Sequence, residues 1–199
     1  ALALKDWGGS HRFAGSGERA AIASLVWDAM RKRASAAWQM RAETPRAVLL
    51  GALAQARGLD AEEISALCSG ERFAPAPLSD DERARLASLD LASAPDHVRG
   101  NFPAWLPAAF TAAFGDQAVA AGQALAERAP VDLRANTLKG SRDSALKQLA
   151  HLNPAPTPLS PWGLRIAVGA DGRGPALQAE PAYVKGLVEV QDEGSQLAA

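Results

Sequence analysis

The amino-acid sequence predicts a mixed fold, with an all-α bundle over residues 1–129 and a small α/β domain over residues 130–186. Before Pro130, apolar residues recur at helical spacing between helix-capping residues, whereas after Pro130 apolar and polar side chains alternate. A period of about 3.6 residues is typical of helices, and strict alternation is typical of strands. The last segment, residues 187–199, has the sequence LVEVQDEGSQLAA and predicts a strand that leads into the first turns of a helix.

The helices of the bundle have start and stop signals. The best bounded one has Thr44 as N-cap, Pro45 in its first position and Gly58 as terminator. Before it, apolar residues from Gly17 to Met40 predict one long helix that follows an N-cap at Ser16.

Four further helices are expected in this region. Capping-box pairs predict short helices near residues 61–69 and 80–90: Asp60 with Glu63, and Ser79 with Glu82. Another helix is expected to begin near Pro103 or Pro107 and to stop at Gly115, and the last to follow Asp116 and end at Pro130.

After Pro130 the elements alternate between strands and helices. The segment VDLRANTL predicts a strand, Ser141 caps the helix RDSALKQLAHL, and GLRIAV predicts a second strand. The segment GADGRG predicts a turn, and AEPAYVKG a short helix that ends at Gly186. The segment LVEVQ, residues 187–191, predicts another strand, which leads into a helix that starts at Asp192.

Composition favours a soluble, cytoplasmic protein. The 199 residues are 48% hydrophobic and 22% charged, and no apolar run approaches the roughly 20 residues that cross a bilayer. The single cysteine, Cys68, excludes an intrachain disulfide and a cysteine-rich zinc site, and we expect it to be buried and structural. The sequence contains no complete nucleotide-binding or hydrolase motif, so no catalytic, cofactor-binding or metal-binding residues are assigned.

Positive charge is concentrated at the start of the chain. Residues 1–57 carry nine Lys and Arg residues against four Asp and Glu, whereas the net charge of the whole chain is -1. Such a segment predicts contact with RNA phosphates, although an ordinary solvated helix surface is an equally good interpretation. The candidates are Arg12, Arg19, Arg31, Lys32, Arg33 and Arg41.

The aromatic residues of the bundle are expected in its core rather than in base stacking. They occur at helical spacing, where large aromatic side chains are usually buried. The set comprises Trp7, Phe13, Trp27, Trp38, Phe73, Phe102, Trp105, Phe110 and Phe114.

Two motifs of the second half resemble a known family. The element RANTLK, Arg134 to Lys139, and the element QDEGSQ, Gln191 to Gln196, match the R-x-N-T-L-K and Q-D-x-x-S-Q elements of the Sun/Nop-type RNA 5-methylcytosine methyltransferases. This is the family of bacterial ribosomal small-subunit RNA methyltransferase B. The resemblance is strong over residues 130–199 and looser over the helical region.

The resemblance implies a NusB-like RNA-binding bundle, then an α/β domain similar to an RNA-recognition fold, then the start of a Rossmann-like methyltransferase domain at residues 187–199. It also implies S-adenosylmethionine as the cofactor of full-length members, bound by a Gly-rich loop, and two catalytic cysteines. Those elements do not occur in this sequence. We therefore expect a natural protein that extends beyond Ala199, and we expect these 199 residues to bind no cofactor and to be inactive alone.

Two functions follow as hypotheses. The first is the RNA-binding and substrate-positioning region of a cytosine-C5 methyltransferase, with RNA of ribosomal type as partner. The second is a non-catalytic NusB-like module that binds RNA or protein. The gene sequence beyond Ala199 would distinguish them, because only the first requires a Gly-rich loop and further cysteines.

Arg134, Asn136 and Lys139 are further RNA-binding candidates. Arg134 and Asn136 share one face of the predicted strand, where they could hold phosphate and ribose. Asn136 could equally hydrogen-bond within its own turn, and Arg134 could pair with an acid. Gln191 and Asp192 are expected to cap the last helix.

Overall fold

The computed structural model describes residues 2–88, 90–169 and 174–199. The chain divides into two compact units, Ala1–Arg128 and Ala129–Ala199. The first is helical, and the second contains helices and a four-stranded sheet, which confirms the mixed fold class. Among the described residues, no helix combines the length and the apolar character that a membrane crossing requires.

The helices of the first unit follow one another closely along the chain. They are α1 (Leu2–Ser10), α2 (Ser16–Arg31), α3 (Arg33–Met40), α4 (Pro45–Arg57), α5 (Ala61–Leu67), α6 (Asp80–Leu86), α7 (Asp96–Arg99), α8 (Pro107–Phe114) and α9 (Ala118–Ala126). A 3-10 turn at Gly115–Gln117 joins the last two, where the sequence predicts a cap at Asp116. Helices α1 and α7 have no counterpart among the predicted elements.

The predicted caps of three helices are confirmed. The Thr44 hydroxyl accepts a hydrogen bond from the Ala47 N–H at 3.2 Å, and Gly58 ends α4 in the left-handed conformation with φ of 67°. The Asp60 and Ser79 capping boxes both form, at the starts of α5 and α6. These signals are local, which is why the sequence alone locates them.

The single long helix predicted from Gly17 to Met40 is wrong, because the chain breaks at Lys32 into α2 and α3. The Ser35 N–H, which a continuous helix would pair with the Arg31 carbonyl, donates instead to Asn101 Oδ1 at 3.0 Å. A side chain from a distant segment therefore interrupts the helix. The N-cap of α2 is Gly15 rather than the predicted Ser16.

The expectation that the aromatic residues fill the core is wrong for most of them. Only Phe102 is buried, and it stacks on Phe110 with a centroid separation of 4.2 Å. Six of the set are exposed: Phe13, Trp27, Trp38, Phe73, Trp105 and Phe114. The buried cluster of the first unit consists mainly of aliphatic residues, including Leu50 and Ile64, together with Cys68, whose predicted burial is confirmed.

The second unit has an antiparallel sheet. Its strands are β1 (Val131–Ala135), β2 (Ala155–Pro156), β3 (Gly163–Ile166) and β4 (Val188–Val190), in the order β2-β3-β1-β4. All three strand pairings are antiparallel. The helices are α10 (Arg142–Gln148), α11 (Pro181–Val184) and α12 (Glu193–Ala198), with 3-10 turns at Ala150–Leu152 and Leu177–Ala179.

Alternation along the strands gives the sheet an apolar face and a polar face. Leu133 and Leu164 lie on the apolar face and are fully buried against Ala145 and Leu149, at α10. Asp132 and its cross-strand partner on β3, Arg165, lie on the opposite face.

Most predicted elements of this unit are present. Ser141 caps α10 by accepting from the Ser144 N–H at 3.2 Å, and Gly186 follows α11 with φ of 66°. The short strand β2 was not predicted, because it lies in a Pro-rich connection. Residues 170–173 of the predicted GADGRG turn lie outside the described residues.

Residues 187–199 do not form a separate compact unit here. Strand β4 pairs with β1, with Leu133 opposite Val190, and therefore completes the sheet of the second unit. The assignment of this segment to the start of a Rossmann-like methyltransferase domain stays a prediction, as does the NusB-like character of the bundle.

The contact between α3 and α4 gives a test of packing. A Cβ atom at Gly51 would lie 2.8 Å from both Cα and Cβ of Ala36, so Gly51→Ala should destabilise the chain by about 2 kcal/mol. Gly9→Ala is the matched control, since Gly9 is also helical but has nothing within 4 Å of the added atom. Urea unfolding of both variants measures the difference; equal stabilities would contradict this packing.

Candidate nucleic-acid interface

The basic residues predicted near the chain start do not form one patch. Arg19 and Arg31 lie about 18 Å apart along α2, at about 1.5 Å per residue. The Arg19 side chain donates to the carbonyls of Ala14 at 2.8 Å and Gly8 at 3.4 Å, which ties α1 to α2. Arg12 is exposed and makes no hydrogen bond or ion pair with any residue that the structure describes.

Arg31 belongs instead to an arginine cluster around Asp28, which we call the Asp28 cluster. Asp28 is buried and forms ion pairs with Arg31, with Arg57 at 2.5 Å and with Arg128 at 2.9 Å. The Ser24 hydroxyl accepts from both Arg57 and Arg128 at 2.7 Å. Three guanidinium groups from distant parts of the sequence therefore share one carboxylate.

Arg57 and Arg128 are members of this cluster that sequence reasoning missed. Arg57 is the last residue of α4, and Arg128 follows α9. Neither has a motif or a local charge pattern that connects it to Asp28, because the contact depends on how the helices pack. Lys32, the neighbour of Arg31, is paired separately with Glu127.

Arg33 and Arg41 line a groove of about 1570 Å³ beside α3. Its wall includes the half-exposed Trp38 and Met30. Three acids, Glu43, Asp81 and Asp90, also line it and balance the charge of Arg33, Arg41 and Arg85. Arg33 lies 3.8 Å from Glu43 in a largely exposed pair. The balanced charge makes this groove a poorer phosphate site than the Asp28 cluster.

The R-x-N-T-L-K element forms a corner at the end of β1, and each of its predicted site residues has a protein partner. Asn136 Nδ2 donates to the Gly186 carbonyl at 2.9 Å, and its Oδ1 accepts from the Leu138 N–H at 3.1 Å. Lys139 Nζ donates to the Lys185 carbonyl at 2.7 Å. Arg134 reaches Gln191 Oε1 at 3.4 Å. These contacts join the end of β1 to residues on both sides of β4.

The Q-D-x-x-S-Q element packs against the polar face of the same sheet. Asp192 caps α12 by accepting from the Ser195 N–H at 2.9 Å, which confirms the predicted cap. Gln196 Nε2 donates to the carbonyls of Leu133 at 3.2 Å and Gln191 at 2.8 Å. Its Oε1 accepts from the Ser160 hydroxyl at 2.7 Å.

An ion pair between the buried Asp132 and the partly exposed Arg165 lies at the centre of this polar face. Arg165 donates to both carboxylate oxygens of Asp132 at 2.7 Å, and the Glu193 N–H donates to Asp132 at 3.1 Å. Glu193 in turn accepts from the Leu159 and Ser160 N–H groups at 2.6 and 2.8 Å. We call Asp132, Arg165, Glu193, Gln196 and Ser160 the polar network.

The network lowers the pKa of both acids. The hydrogen bonds from Arg165 hold the pKa of Asp132 below its ordinary value, since they favour the charged carboxylate. Burial alone would raise the pKa of Glu193, but the Ser160 and Leu159 N–H groups outweigh it and lower the pKa. Both carboxylates are therefore occupied in holding strand, loop and helix together.

The sheet offers little for base stacking. Strands β1, β3 and β4 have the sequences VDLRA, GLRI and VEV, which contain no aromatic residue. Domains of the RNA-recognition type stack bases on aromatic residues of the sheet. The resemblance to an RNA-recognition fold therefore does not extend to that binding mode.

Comparison with known proteins supports the family resemblance over a region that contains the R-x-N-T-L-K element. Residues 102–171 match the model of the Methyltr_RsmF/B-like, ferredoxin-like domain family, which is about a third of the chain. The matched region begins before α8 and includes strands β1 to β3. The match confirms the resemblance to the N-terminal portion of a Sun/Nop-type methyltransferase. A comparison with curated proteins found no match.

The residues described here do not fit S-adenosylmethionine, the cofactor that this family implies. Rossmann-type sites lie at the carboxyl ends of parallel strands, beside a Gly-rich turn that opens a helix. The sheet here is antiparallel in every described pairing, and the polar network occupies its polar face. The described residues also contain no group of three His, Cys, Asp or Glu side chains that could hold a metal ion.

Acid unfolding tests the polar network. Because the folded-state pKa of Asp132 is lowered, its ion pair stabilises the chain above about pH 4, and this stability is lost as the pH falls through the lowered pKa. Asp132→Asn should lower the free energy of unfolding at neutral pH by about 2 kcal/mol, less than for a fully buried pair because Arg165 is 38% exposed.

As the pH falls below about 4, the free energy of unfolding of the same variant should decrease less than that of the wild type, because the variant lacks the Asp132 carboxylate that is protonated there. Glu189→Gln is the control, since Glu189 is an exposed acid on β4. Denaturant unfolding at a series of pH values measures both quantities. An Asp132→Asn variant with wild-type stability and pH dependence would contradict the role of this pair.

Proposed function

We propose that this chain is the RNA-binding and substrate-positioning N-terminal region of an S-adenosylmethionine-dependent RNA cytosine-C5 methyltransferase, with ribosomal RNA as its substrate class. The match of residues 102–171 to the RsmF/B-like ferredoxin-like domain carries the proposal. The position of both sequence motifs on adjacent parts of one small sheet domain supports it.

In this proposal the two units have different tasks. The corner at Arg134, Asn136 and Lys139 and the polar network fix the small sheet domain. Asn136, Lys139 and Glu193 bind backbone groups, whereas Arg134 binds the Gln191 side chain. The N-terminal segment of the first unit, residues 1–57, supplies the positive charge that RNA phosphates require, because it holds nine basic residues against four acids. We infer a cytoplasmic protein from its RNA substrate class.

Methyl transfer itself needs groups that this sequence lacks. A cytosine-C5 methyltransferase of this family adds a cysteine thiolate to C6 of the base, which makes C5 nucleophilic, and uses a second cysteine to release the product. The sequence has one cysteine, Cys68, which is buried in the helical core. We therefore assign the chain a role in binding rather than in catalysis.

The first prediction from this function is salt-dependent RNA binding. The purified chain should bind a fragment of small-subunit ribosomal RNA, and log Kd should rise linearly with log salt concentration because binding releases counterions from the RNA. Fluorescence anisotropy over a range of KCl concentrations measures the slope. Transfer RNA of similar length serves as the competitor that tests the RNA class. Absence of binding at low salt would refute the proposed function.

The second prediction concerns catalysis. The chain should transfer no methyl group from radiolabelled S-adenosylmethionine to ribosomal RNA, because the nucleophile and the second cysteine have no counterpart in the sequence. Cys68→Ser is the matched variant. Turnover by the purified chain that disappears in this variant would show that Cys68 is catalytic, contrary to its assignment as a core residue.

A further inference from the structure

The Asp28 cluster presents guanidinium groups at the surface of the first unit. Asp28 is only 7% exposed, whereas the side chains of Arg31 and Arg128 are 27% and 28% exposed. The carboxylate therefore lies beneath the arginines and holds them from the protein side. This arrangement fixes the guanidinium groups in place, so that a ligand would bind them with little loss of side-chain entropy.

Arg31 and Arg128 retain hydrogen-bond donors for a ligand. A guanidinium group has five N–H donors, and those of Arg31 contact only Asp28 among the described residues. Within the part of the chain that the structure describes, Arg128 donates through Nη2 alone, to Asp28 at 2.9 Å and to Ser24 at 2.7 Å. The planar fork of arginine matches the geometry of phosphate oxygens, which accept two parallel N–H bonds.

An exposed tryptophan lies one helical turn before Arg31 in α2. Trp27 is 43% exposed and precedes Arg31 by four residues in α2, so the two side chains lie on the same face of the helix. An exposed aromatic ring beside phosphate-binding arginines is the combination that holds single-stranded nucleic acid, since the bases stack on the ring while the cations bind the backbone.

We propose that this surface binds one nucleotide step of single-stranded RNA, with a backbone phosphate at Arg31 and Arg128 and a neighbouring base stacked on Trp27. Asp28 acts as the positioning residue that orients the two arginines. The inference rests on the proposed function, because it takes RNA as the ligand, and it adds Arg128 and Trp27, which the charge distribution alone did not identify. A duplex cannot use the site fully, since its bases are already stacked.

The test uses the full chain with a short, fluorescein-labelled, single-stranded RNA and fluorescence anisotropy at several KCl concentrations. Arg31→Gln and Arg128→Gln should each weaken binding about tenfold. Each should also reduce the slope of log K against log salt by about 0.7, the value for one phosphate contact to a single strand. Asp28 keeps the Arg57 ion pair in both variants, so the fold should persist, and thermal unfolding checks this.

Stacking is tested separately from charge. Trp27→Ala should weaken binding about tenfold with no change in the salt slope, and Trp27→Phe should restore most of the affinity. The same RNA in duplex form should bind more weakly than the single strand. Arg72→Gln and Trp105→Ala are the matched controls, since both residues are exposed and lie in other segments, and they should bind as the wild type does.

The outcomes separate this inference from the function on which it rests. Wild-type binding that Arg31→Gln and Arg128→Gln leave unchanged in affinity and salt slope would overturn the phosphate site and leave the proposed function standing. Equal affinities for single strand and duplex, or an unaffected Trp27→Ala variant, would overturn the stacking role. Absence of RNA binding by the wild type would refute the proposed function as well.

Discussion

The second unit depends on the Asp132 carboxylate, which lies on the polar face of a very small sheet. Burial of a charged group is costly unless it is paired and hydrogen-bonded. Asp132 meets both conditions, because Arg165 binds both of its oxygens and the first N–H of α12 binds one of them. One side chain thereby fixes β1, β3 and the last helix relative to one another.

Further hydrogen bonds hold together the segments of the two sequence motifs, which lie more than fifty positions apart in the chain. The corner at Asn136 binds the Gly186 carbonyl immediately before β4, and Gln196 binds the Leu133 carbonyl in β1. Each motif therefore hydrogen-bonds to a segment that flanks the other, and Arg134 reaches Gln191 directly at 3.4 Å. Substitution of Asn136 or Gln196 should therefore first destabilise the sheet domain. This structural role accounts for their residue types without any contact with RNA.

Local features could be predicted from the sequence, and long-range ones could not. Thr44, Ser79 and Ser141 cap their helices as expected, because a cap needs only the three residues that follow it. The break at Lys32 depends on Asn101, and the Asp28 cluster depends on Arg57 and Arg128, which lie far away along the chain. The exposure of Trp27 likewise depends on which helices pack together. The sequence therefore identified Arg31 as a candidate RNA-binding residue but did not identify Asp28, Arg57 and Arg128 as the residues that surround it.

The central claim is that RNA lies on the first unit, at Trp27 and the Asp28 cluster, while the motifs of the second unit hold the fold. Photo-crosslinking of the chain to a single-stranded RNA that contains 4-thiouridine, followed by mass spectrometry of the peptides, tests this most directly. We expect crosslinks in the peptide that contains Trp27 and none at the corner from Arg134 to Lys139. Crosslinks confined to that corner, with none in α2, would contradict the account.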